Sequence, residues 1–161
     1  MKKVYTSLVM FFLVVSGCSG LKMDMAPPSQ RFTVGTGAEV NCVTDNRTGL
    51  MWMRDGNLPD RSWYNALDYA DEVNGGPGLC GHNDWRLPRV HELRSLINPN
   101  QPSTANWLNT QGFRNVKKYY YWSSDTNGVG SGEAWIVYML DGLEAYFSMS
   151  NSYSVLLVRT K

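Results

Sequence analysis

The sequence predicts one α+β domain, in which two helices precede a largely antiparallel sheet. Two segments in the first half of the folded part repeat apolar residues at helical spacing, whereas the C-terminal third alternates apolar and polar residues as a strand does. The chain has 161 residues, enough for one domain with a substantial core and too few for two of ordinary size. Helices and strands that are segregated along the chain are typical of the α+β class.

The folded part is predicted to begin near Phe32 and to open with a β-hairpin. Residues 39–44 and 50–54 are short β-prone runs, and residues 45–49 between them tolerate turn geometry. We therefore expect the two runs to pair with each other.

Two helices are expected next. Ser62 can cap the first, and the glycine-rich residues 74–78 would end it. Pro88 suits the first turn of the second, which would end at residues 98–99. The apolar positions that recur at helical spacing are Trp63, Ala66, Leu67, Ala70 and Val73 in the first helix and Val90, Leu93 and Ile97 in the second.

The C-terminal third is predicted to form the sheet. Residues 143–149 alternate, which predicts a strand with one buried and one wetter face. Residues 134–140 are apolar on both faces, as in a central strand, and Asp141-Gly142 after them indicates a two-residue hairpin loop. Residues 119–122 and 155–158 supply further strands.

The first eighteen residues predict an exported, lipid-anchored protein. Lys2 and Lys3 precede an uncharged, mostly apolar run over residues 4–15, which is too short to span the roughly 30 Å bilayer core. The run ends at Val15-Ser16-Gly17-Cys18, which resembles the cleavage box of bacterial lipoproteins, in which the cysteine thiol takes a diacylglycerol. We expect the acyl chains on Cys18 to hold the protein in the bilayer. The alternative is a signal peptide with an incidental cysteine.

The predicted organisation is a signal peptide over residues 1–17, a proline-containing tether over residues 18–31 and a domain over residues 32–161. In the resemblance to lipoproteins, Ser19 after the cysteine favours the bacterial outer membrane, on its periplasmic or its surface side. Removal of the signal peptide would lower the formal charge from +1 to about −1, because it takes two lysines and no acid. This balance leaves no basic footprint, and we expect no nucleic-acid partner.

Cys42 and Cys80 remain once Cys18 is assigned to lipid. An even pair in an exported protein predicts a disulfide. Closing this loop would stabilise the fold by about 4 kcal/mol in the chain-entropy model.

Five sequence pieces together resemble a known family. They are Thr48-Gly49-Leu50-Met51-Trp52, Ser62-Trp63 with Ala66-Leu67, Asp84-Trp85-Arg86-Leu87-Pro88 with Glu92-Leu93, Tyr121-Trp122-Ser123-Ser124, and Val158-Arg159. In this order they resemble the Lcl C-terminal domain family, over roughly residues 40–160. That family is similar to C-type lectin-like folds, so the resemblance implies two helices flanking a twisted antiparallel sheet, with a long loop region for ligands. A fold resemblance does not by itself transfer function.

No catalytic set emerges from the sequence, and we expect the protein not to be an enzyme. Asp84 and Arg86 beside Trp85 could serve catalysis, but a strand-to-helix corner set by Pro88 needs the same residue types, and we favour this structural role. The helix start at residues 86–88 is similar to that of formylglycine-generating enzymes. Those enzymes use a late cysteine pair, whereas no cysteine follows residue 80.

Metal and cofactor sites are not predicted either. His91-Glu92 lacks the second imidazole of a zinc-protease helix, because position 95 is serine. His82, Asp84 and His91 could form only a loose cluster.

The ligand site is predicted in two irregular stretches, residues 98–118 and 123–132. Trp107 lies in the first, in a connection without clear periodicity over residues 98–115, and such loops are usually functional. The other five tryptophans, at positions 52, 63, 85, 122 and 135, are predicted to pack in the core. Near the end of the first stretch, cations stand beside aromatic rings. The cations are Arg114, Lys117 and Lys118, and the rings are Tyr119, Tyr120 and Tyr121.

Such a patch suits an acidic or sulfated glycan, because cations pair with sulfate or carboxylate and rings stack on sugar faces. The plainer alternative is that the lysines only solvate a strand end. The function predicted is a membrane-anchored binding or adhesion domain for a glycan or a surface protein. The alternatives are a structural envelope lipoprotein without a small ligand and, more distantly, an enzyme of the formylglycine-generating-like fold.

Overall fold

The structure, a computed structural model that describes residues 30–161, confirms the predicted α+β class. Over these residues it contains three α-helices and two antiparallel sheets. The α-helices and strands in chain order are β1 (Phe32–Val34), β2 (Cys42–Asp45), β3 (Leu50–Met53), α1 (Trp63–Gly75), α2 (Val90–Ser95), α3 (Thr104–Thr110), β4 (Tyr120–Thr126), β5 (Glu133–Tyr138), β6 (Glu144–Ser148) and β7 (Val158–Thr160). A short 3₁₀ helix, Gly37–Glu39, lies between β1 and β2.

The predictions on the signal peptide, on Cys18 and on most of the tether fall on residues 1–29 and lie outside the described residues. Within the described part of the chain, no helix has the length and apolar character that crossing a bilayer requires.

The first sheet has the strand order β1-β2-β3-β7 and is antiparallel throughout. Its β2–β3 hairpin is the one that the sequence predicts, with Val43 opposite Trp52. The turn depends on Gly49, whose φ of +72° lies in the left-handed region that glycine adopts without strain. The Gly49 amide donates to the Asp45 carbonyl at 2.9 Å and closes the turn.

The two predicted helices are present, with one shifted start. Ser62 Oγ accepts a hydrogen bond from the Asn65 amide at 3.3 Å and caps α1. Pro88 lies before α2 rather than in its first turn, because Arg89 takes the N-cap position. Glu92 Oε2 accepts from the Arg89 amide at 2.7 Å and satisfies one of the groups that a helix start leaves unpaired.

The third helix, α3, corrects the prediction that residues 98–115 lack secondary structure. Ser103 Oγ accepts from the Asn106 amide at 3.3 Å and caps a helix of seven residues. Ala105 and Leu108 are buried on its inner face. Two turns contain too few apolar repeats for periodicity to reveal them, although the Ser103 cap was a readable signal.

The second sheet has the strand order β4-β5-β6, so two sheets replace the single sheet predicted. β5 is central, as expected, and Tyr120 on β4 lies opposite Tyr138 on β5. The hairpin between β5 and β6 has a five-residue loop, over residues 139–143, rather than two residues. The Gly142 amide closes this loop by donating to the Tyr138 carbonyl at 2.8 Å.

Two strand predictions were wrong in detail. Residues 155–157 are buried but pair in no strand, and the ladder of β7 begins only at Val158. The alternating run over residues 143–149 does not bury one face, because Leu143 keeps 55% of its surface exposed and Phe147 keeps 38%. β6 is an edge strand, so its side chains have neighbours on one side only.

Large aromatic side chains fill the core. Trp52, Trp85 and Trp122 are buried, as predicted, whereas Trp63 and Trp135 are only partly buried. The predicted disulfide is formed between Cys42 and Cys80, whose Cα atoms lie 6.4 Å apart. It joins β2 to the loop that precedes Trp85.

Candidate ligand-binding surface

The chain that leads into β4 is held firmly against the core. The amide and carbonyl of Val116 both bond the side chain of Asn109 on α3, at 2.9 and 3.0 Å. The Lys117 amide donates to the Tyr121 hydroxyl at 2.9 Å, and that hydroxyl donates to the Gly56 carbonyl at 3.0 Å. Burial raises the pKa of Tyr121 to about 12, so this hydroxyl stays neutral over the physiological range.

Lys117 and Lys118 differ in their surroundings. Lys117 Nζ lies 3.1 Å from Asp60 Oδ1 and 3.2 Å from the Leu58 carbonyl oxygen. Lys118 is exposed and forms no ion pair with any residue between 30 and 161. Lys118 is therefore the lysine of this segment whose charge is available to a ligand.

Arg114 lies in a patch of mixed charge. Its backbone forms a parallel bridge with Asp55, whose carboxylate accepts a hydrogen bond from Asn115 at 3.3 Å. Partial burial, and then the nearby charge of Arg114, lower the pKa of Arg54. The carboxylates of Asp55 and Asp60 thus lie among the predicted cations. The sequence did not reveal this arrangement.

Aromatic side chains from three strands and two adjoining loops form a continuous cluster, which we call the aromatic face: Tyr119, Tyr120, Tyr138, Phe147 and Tyr153. Tyr120 lies at its centre, with its ring centroid 4.7 Å from that of Tyr138 and 5.5 Å from those of Tyr119 and Tyr153. Tyr153 is buried, whereas the other four rings keep part of their surface exposed.

The lysine segment, residues 117–118, lies directly before the aromatic face in the chain. Tyr119 follows Lys118 directly, and its ring centroid lies 5.9 Å from that of Tyr153. Burial, and then the negative charge of Asp60, raise the pKa of Tyr119, so the carboxylate that binds Lys117 also acts on this ring.

Residues 41–159 match the family model of the Lcl C-terminal domain. The chain belongs to the Lcl C-terminal domain family. The match covers the whole aromatic face and the lysine segment, and it confirms the resemblance that the five sequence pieces indicated. No curated protein matches the chain. Membership is compatible with a surface-associated domain that has no catalytic activity.

The motif residues of this Lcl C-terminal domain are committed to structural contacts. Asp84 Oδ1 accepts from Arg159 Nε at 2.6 Å, and this hydrogen bond lowers the pKa of Asp84. Trp85 donates from its indole nitrogen to the Leu79 carbonyl at 2.9 Å, and Asn74 accepts from its amide at 2.8 Å. These bonds fix the corner between the disulfide loop and β7.

Arg86 and Glu92 form a bidentate ion pair at the start of α2. Both nitrogen–oxygen distances are 2.7 Å. Burial by itself would raise the pKa of Glu92, but the hydrogen bonds from Arg86 and from the Arg89 amide lower it on balance. Pro88 accepts at its carbonyl from the Ser124 amide at 2.7 Å, so the corner is joined to β4.

Strand β4 separates the predicted cation patch from the second predicted loop, of which residues 123–126 belong to the strand itself. Lys118 precedes β4, whereas residues 127–132 follow its other end, about 20 Å away for a seven-residue strand. Trp107 lies on α3 and packs against Phe32, with a centroid distance of 5.7 Å, while the Arg31 guanidinium lies over its ring. Trp107 therefore belongs to the packing of β1 and not to the aromatic face.

His82, Asp84 and His91 do not assemble a site either. His82 Nε2 lies 3.6 Å from Glu39 Oε1, and His91 is exposed on α2. Across residues 30–161, no three His, Cys, Asp or Glu side chains are grouped as metal ligands would be.

Sequence reasoning found Tyr119 and Tyr120 but missed Tyr138, Phe147 and Tyr153. The contact of Tyr138 could have been predicted, because antiparallel pairing of residues 119–122 with residues 134–140 would place tyrosines opposite each other. The contact of Tyr153 could not, because the chain crosses back over the sheet after β6 and no periodicity marks that path.

Proposed function

We propose that this Lcl C-terminal domain is the binding part of a bacterial envelope lipoprotein, and that its aromatic face binds carbohydrate without catalysing a reaction. The observation that carries the proposal is the aromatic face itself, whose partly exposed rings lie beside the exposed Lys118. Exposed aromatic clusters are uncommon on a soluble domain unless something binds there.

The rings suit a sugar for a physical reason. An aromatic ring offers a flat apolar surface to the C–H face of a pyranose, and a tyrosine hydroxyl adds a hydrogen-bonding group at the rim. Three of the partly exposed rings are tyrosines, with Tyr120 between Tyr119 and Tyr138, so several sugar hydroxyls could be met at one surface.

The charges favour an acidic or sulfated sugar. The Lys118 ammonium can pair with a sulfate or a carboxylate, because charge-assisted hydrogen bonds of this kind are the stronger ones. Lys117 contributes indirectly, since it neutralises Asp60, which would otherwise repel an anion. Arg114, whose backbone forms a bridge with that of Asp55, adds a further cation.

The absence of catalysis is part of the proposal. A catalytic mechanism would first use the charged groups of the motif, which are Asp84, Arg86 and Glu92. Each of them is held by a hydrogen-bonding partner at 2.7 Å or less. Charges that are paired in this way stabilise the corner rather than act on a substrate.

The test of ligand binding is retention of the purified protein on heparin at low and high salt, with a neutral polysaccharide as the comparison. We expect retention on heparin at 0.1 M salt and its loss towards 1 M, because the Debye length falls from about 10 Å to about 3 Å. Lys118→Ala should weaken binding by up to about fivefold, the value of one exposed ion pair. Lys161→Ala removes an exposed lysine after β7 and is the matched control, which should bind as the wild type does.

Tyr120→Ala should also weaken binding, and it should weaken any residual binding to the neutral polysaccharide as well. Heparin binding that depends on neither salt nor Lys118 would show that this surface is not the site. No binding to any glycan would favour a structural envelope lipoprotein.

The anchor is a separate part of the proposal and rests on the sequence around Cys18. In cells, Cys18→Ala should move the protein from the membrane fraction to a soluble or mislocalised one. A variant that still partitions into detergent after signal removal would contradict acylation at this residue.

A further inference from the structure

The outer edge of β6 is open. The Tyr138 amide donates to the Leu143 carbonyl and the Met149 amide donates to the Gly132 carbonyl, both at 2.9 Å. Because hydrogen-bonding direction alternates along an antiparallel strand, every second residue from 143 to 149 bonds β5. Glu144, Tyr146 and Ser148 therefore point their amides and carbonyls away from the sheet. Of these groups, the Ser148 carbonyl accepts a hydrogen bond from the Asn151 amide at 2.9 Å, so the open edge runs from Glu144 to the Ser148 amide.

The other sheet edges in residues 30–161 are short or covered. β1 is three residues long. Val158 on β7 exchanges both backbone hydrogen bonds with Arg86, at 3.0 and 2.9 Å. On β4, the Trp122 amide donates to Ser154 and the Ser124 amide donates to Pro88.

Natural proteins protect exposed edges with lysine, proline, a bulge or a covering loop. Along β6 none of these is present: its register with β5 is regular, and its sequence has neither lysine nor proline. Its one charge, Glu144, lies 3.4 Å from Arg94 of α2, and this pairing draws the carboxylate onto one face of the sheet. Tyr146 and Phe147 keep 47% and 38% of their surfaces exposed. The edge therefore has the features of a pairing site.

We propose that β6 pairs antiparallel with β6 of a second copy of this chain, which joins the two second sheets into one continuous six-stranded sheet. The strand is self-complementary when Tyr146 lies opposite Tyr146 of the other copy. Glu144 then lies opposite Ser148, and Ala145 opposite Phe147, so no like charges meet and a small residue faces a large one.

The second copy is favoured over an unrelated strand by this charge arrangement and by the aromatic pair next to it. Trp135 and Tyr146 have ring centroids 5.3 Å apart on one face of the sheet. Self-pairing would continue this row across the interface, from Trp135 through both Tyr146 rings to the second Trp135. The interface is isologous, so the assembly closes at a dimer.

The pairing also has a consequence for the ligand surface. The two-fold axis of antiparallel strands is perpendicular to the sheet, so both aromatic faces lie on the same side. A polymeric glycan could then contact both, which would raise its avidity. This consequence rests on the proposed function, whereas the pairing itself does not.

The pairing is tested by cysteine cross-linking in cells that express the full chain. Directly hydrogen-bonded antiparallel residues have Cα atoms about 5.5 Å apart, which a disulfide can bridge, so Tyr146→Cys should give a cross-linked dimer. Ser148→Cys is the matched control on the same strand, because its two copies would lie about 14 Å apart in this register. We expect about tenfold more dimer from Tyr146→Cys than from Ser148→Cys.

Tyr64→Cys is a second control, at an exposed tyrosine on α1, a helix that takes no part in the proposed pairing. Equal cross-linking at 64 and 146 would show random collision, and a folded Tyr146→Cys protein that remains monomeric would overturn the pairing. If Tyr146→Cys does not fold, as judged by loss of the Cys42–Cys80 disulfide, Ala145→Cys and Phe147→Cys chains are co-expressed. These should cross-link only with each other, and failure to do so would equally overturn the proposal. None of these outcomes depends on heparin binding, so the two proposals can fail separately.

Discussion

The two sheets of this domain differ in what they leave exposed. The first sheet is tied by the Cys42–Cys80 disulfide and by the Arg31–Asp45 ion pair, with 2.8 Å between charged atoms. Its edges are short or covered. The second sheet carries partly exposed aromatic rings on both faces of β6 and an unpaired backbone edge. The first sheet therefore contains the stabilising links of this small fold, and the second sheet carries the surface that we propose for binding.

The electrostatics follow the same division in part. Asp45 and Asp84, whose carboxyl pKa values are lowered, lie on β2 and at the corner that Arg159 of β7 holds. Glu92, whose carboxyl pKa is also lowered, lies on α2, which contacts β4 and β5 of the second sheet. On the aromatic face, burial and then the charge of Asp60 raise the pKa of Tyr119 instead. Protonation of Asp45 in acid should therefore weaken the first sheet through the loss of its ion pair with Arg31.

The largest effect is expected from Trp52→Ala in the first sheet. Trp52 is fully buried, so its removal should lower the free energy of unfolding by about 4 kcal/mol, measured by denaturant titration. Trp135→Ala is the matched change in the second sheet, where the indole is only partly buried, and it should cost about half as much. Equal costs would remove the distinction between the two sheets.

The next effect concerns the disulfide. Replacing both Cys42 and Cys80 by alanine should lower the free energy of unfolding by up to about 4 kcal/mol, because the unfolded chain gains freedom. Heparin retention should persist under conditions in which the variant stays folded, since the disulfide is remote from the aromatic face. Loss of retention by a folded variant would show that the two regions are coupled.

A smaller effect is expected from acid. Burial alone would raise the pKa of Asp45, but the hydrogen bonds from Arg31 and from the Arg47 amide lower it on balance. The unfolded chain then takes up the proton first as pH falls, so the stabilisation is complete above about pH 4 and is lost below it. Asp45→Asn should flatten this part of the pH–stability curve and cost about 2 kcal/mol at neutral pH. An unchanged curve would show that Asp45 does not control acid unfolding.

The sequence predicted the first region better than the second. The hairpin, the Ser62 cap of α1 and the disulfide all depend on local signals: turn residues, a capping hydroxyl and an even count of cysteines. Such signals can be read without knowing how distant elements of the chain pack against one another. The aromatic face depends instead on which strands neighbour each other, so only its two consecutive tyrosines, Tyr119 and Tyr120, were found.

The remaining errors have related causes. α3 is too short for its apolar period to be seen, so Trp107 was placed in a loop. The exposure of Phe147 could not be read from the alternation of β6, because alternation shows which residues share a face and not whether anything covers that face. Asp55 and Asp60 approach the predicted cations only in the folded chain.

The smallest effect on stability is expected from Phe147→Ala, and it tests the comparison most directly. Phe113→Ala is the same substitution in the buried cluster beside β1, where the ring lies 5.3 Å from Phe32 and keeps 3% of its surface exposed. Phe113→Ala should cost about 3 kcal/mol or more, whereas Phe147→Ala should cost about 1 kcal/mol, because much of its ring is already in water. Retention on heparin should change in the opposite order, since only Phe147 belongs to the aromatic face. If Phe147→Ala proved as destabilising as Phe113→Ala and left heparin retention unchanged, its ring would be core packing and the second sheet would lose its separate role.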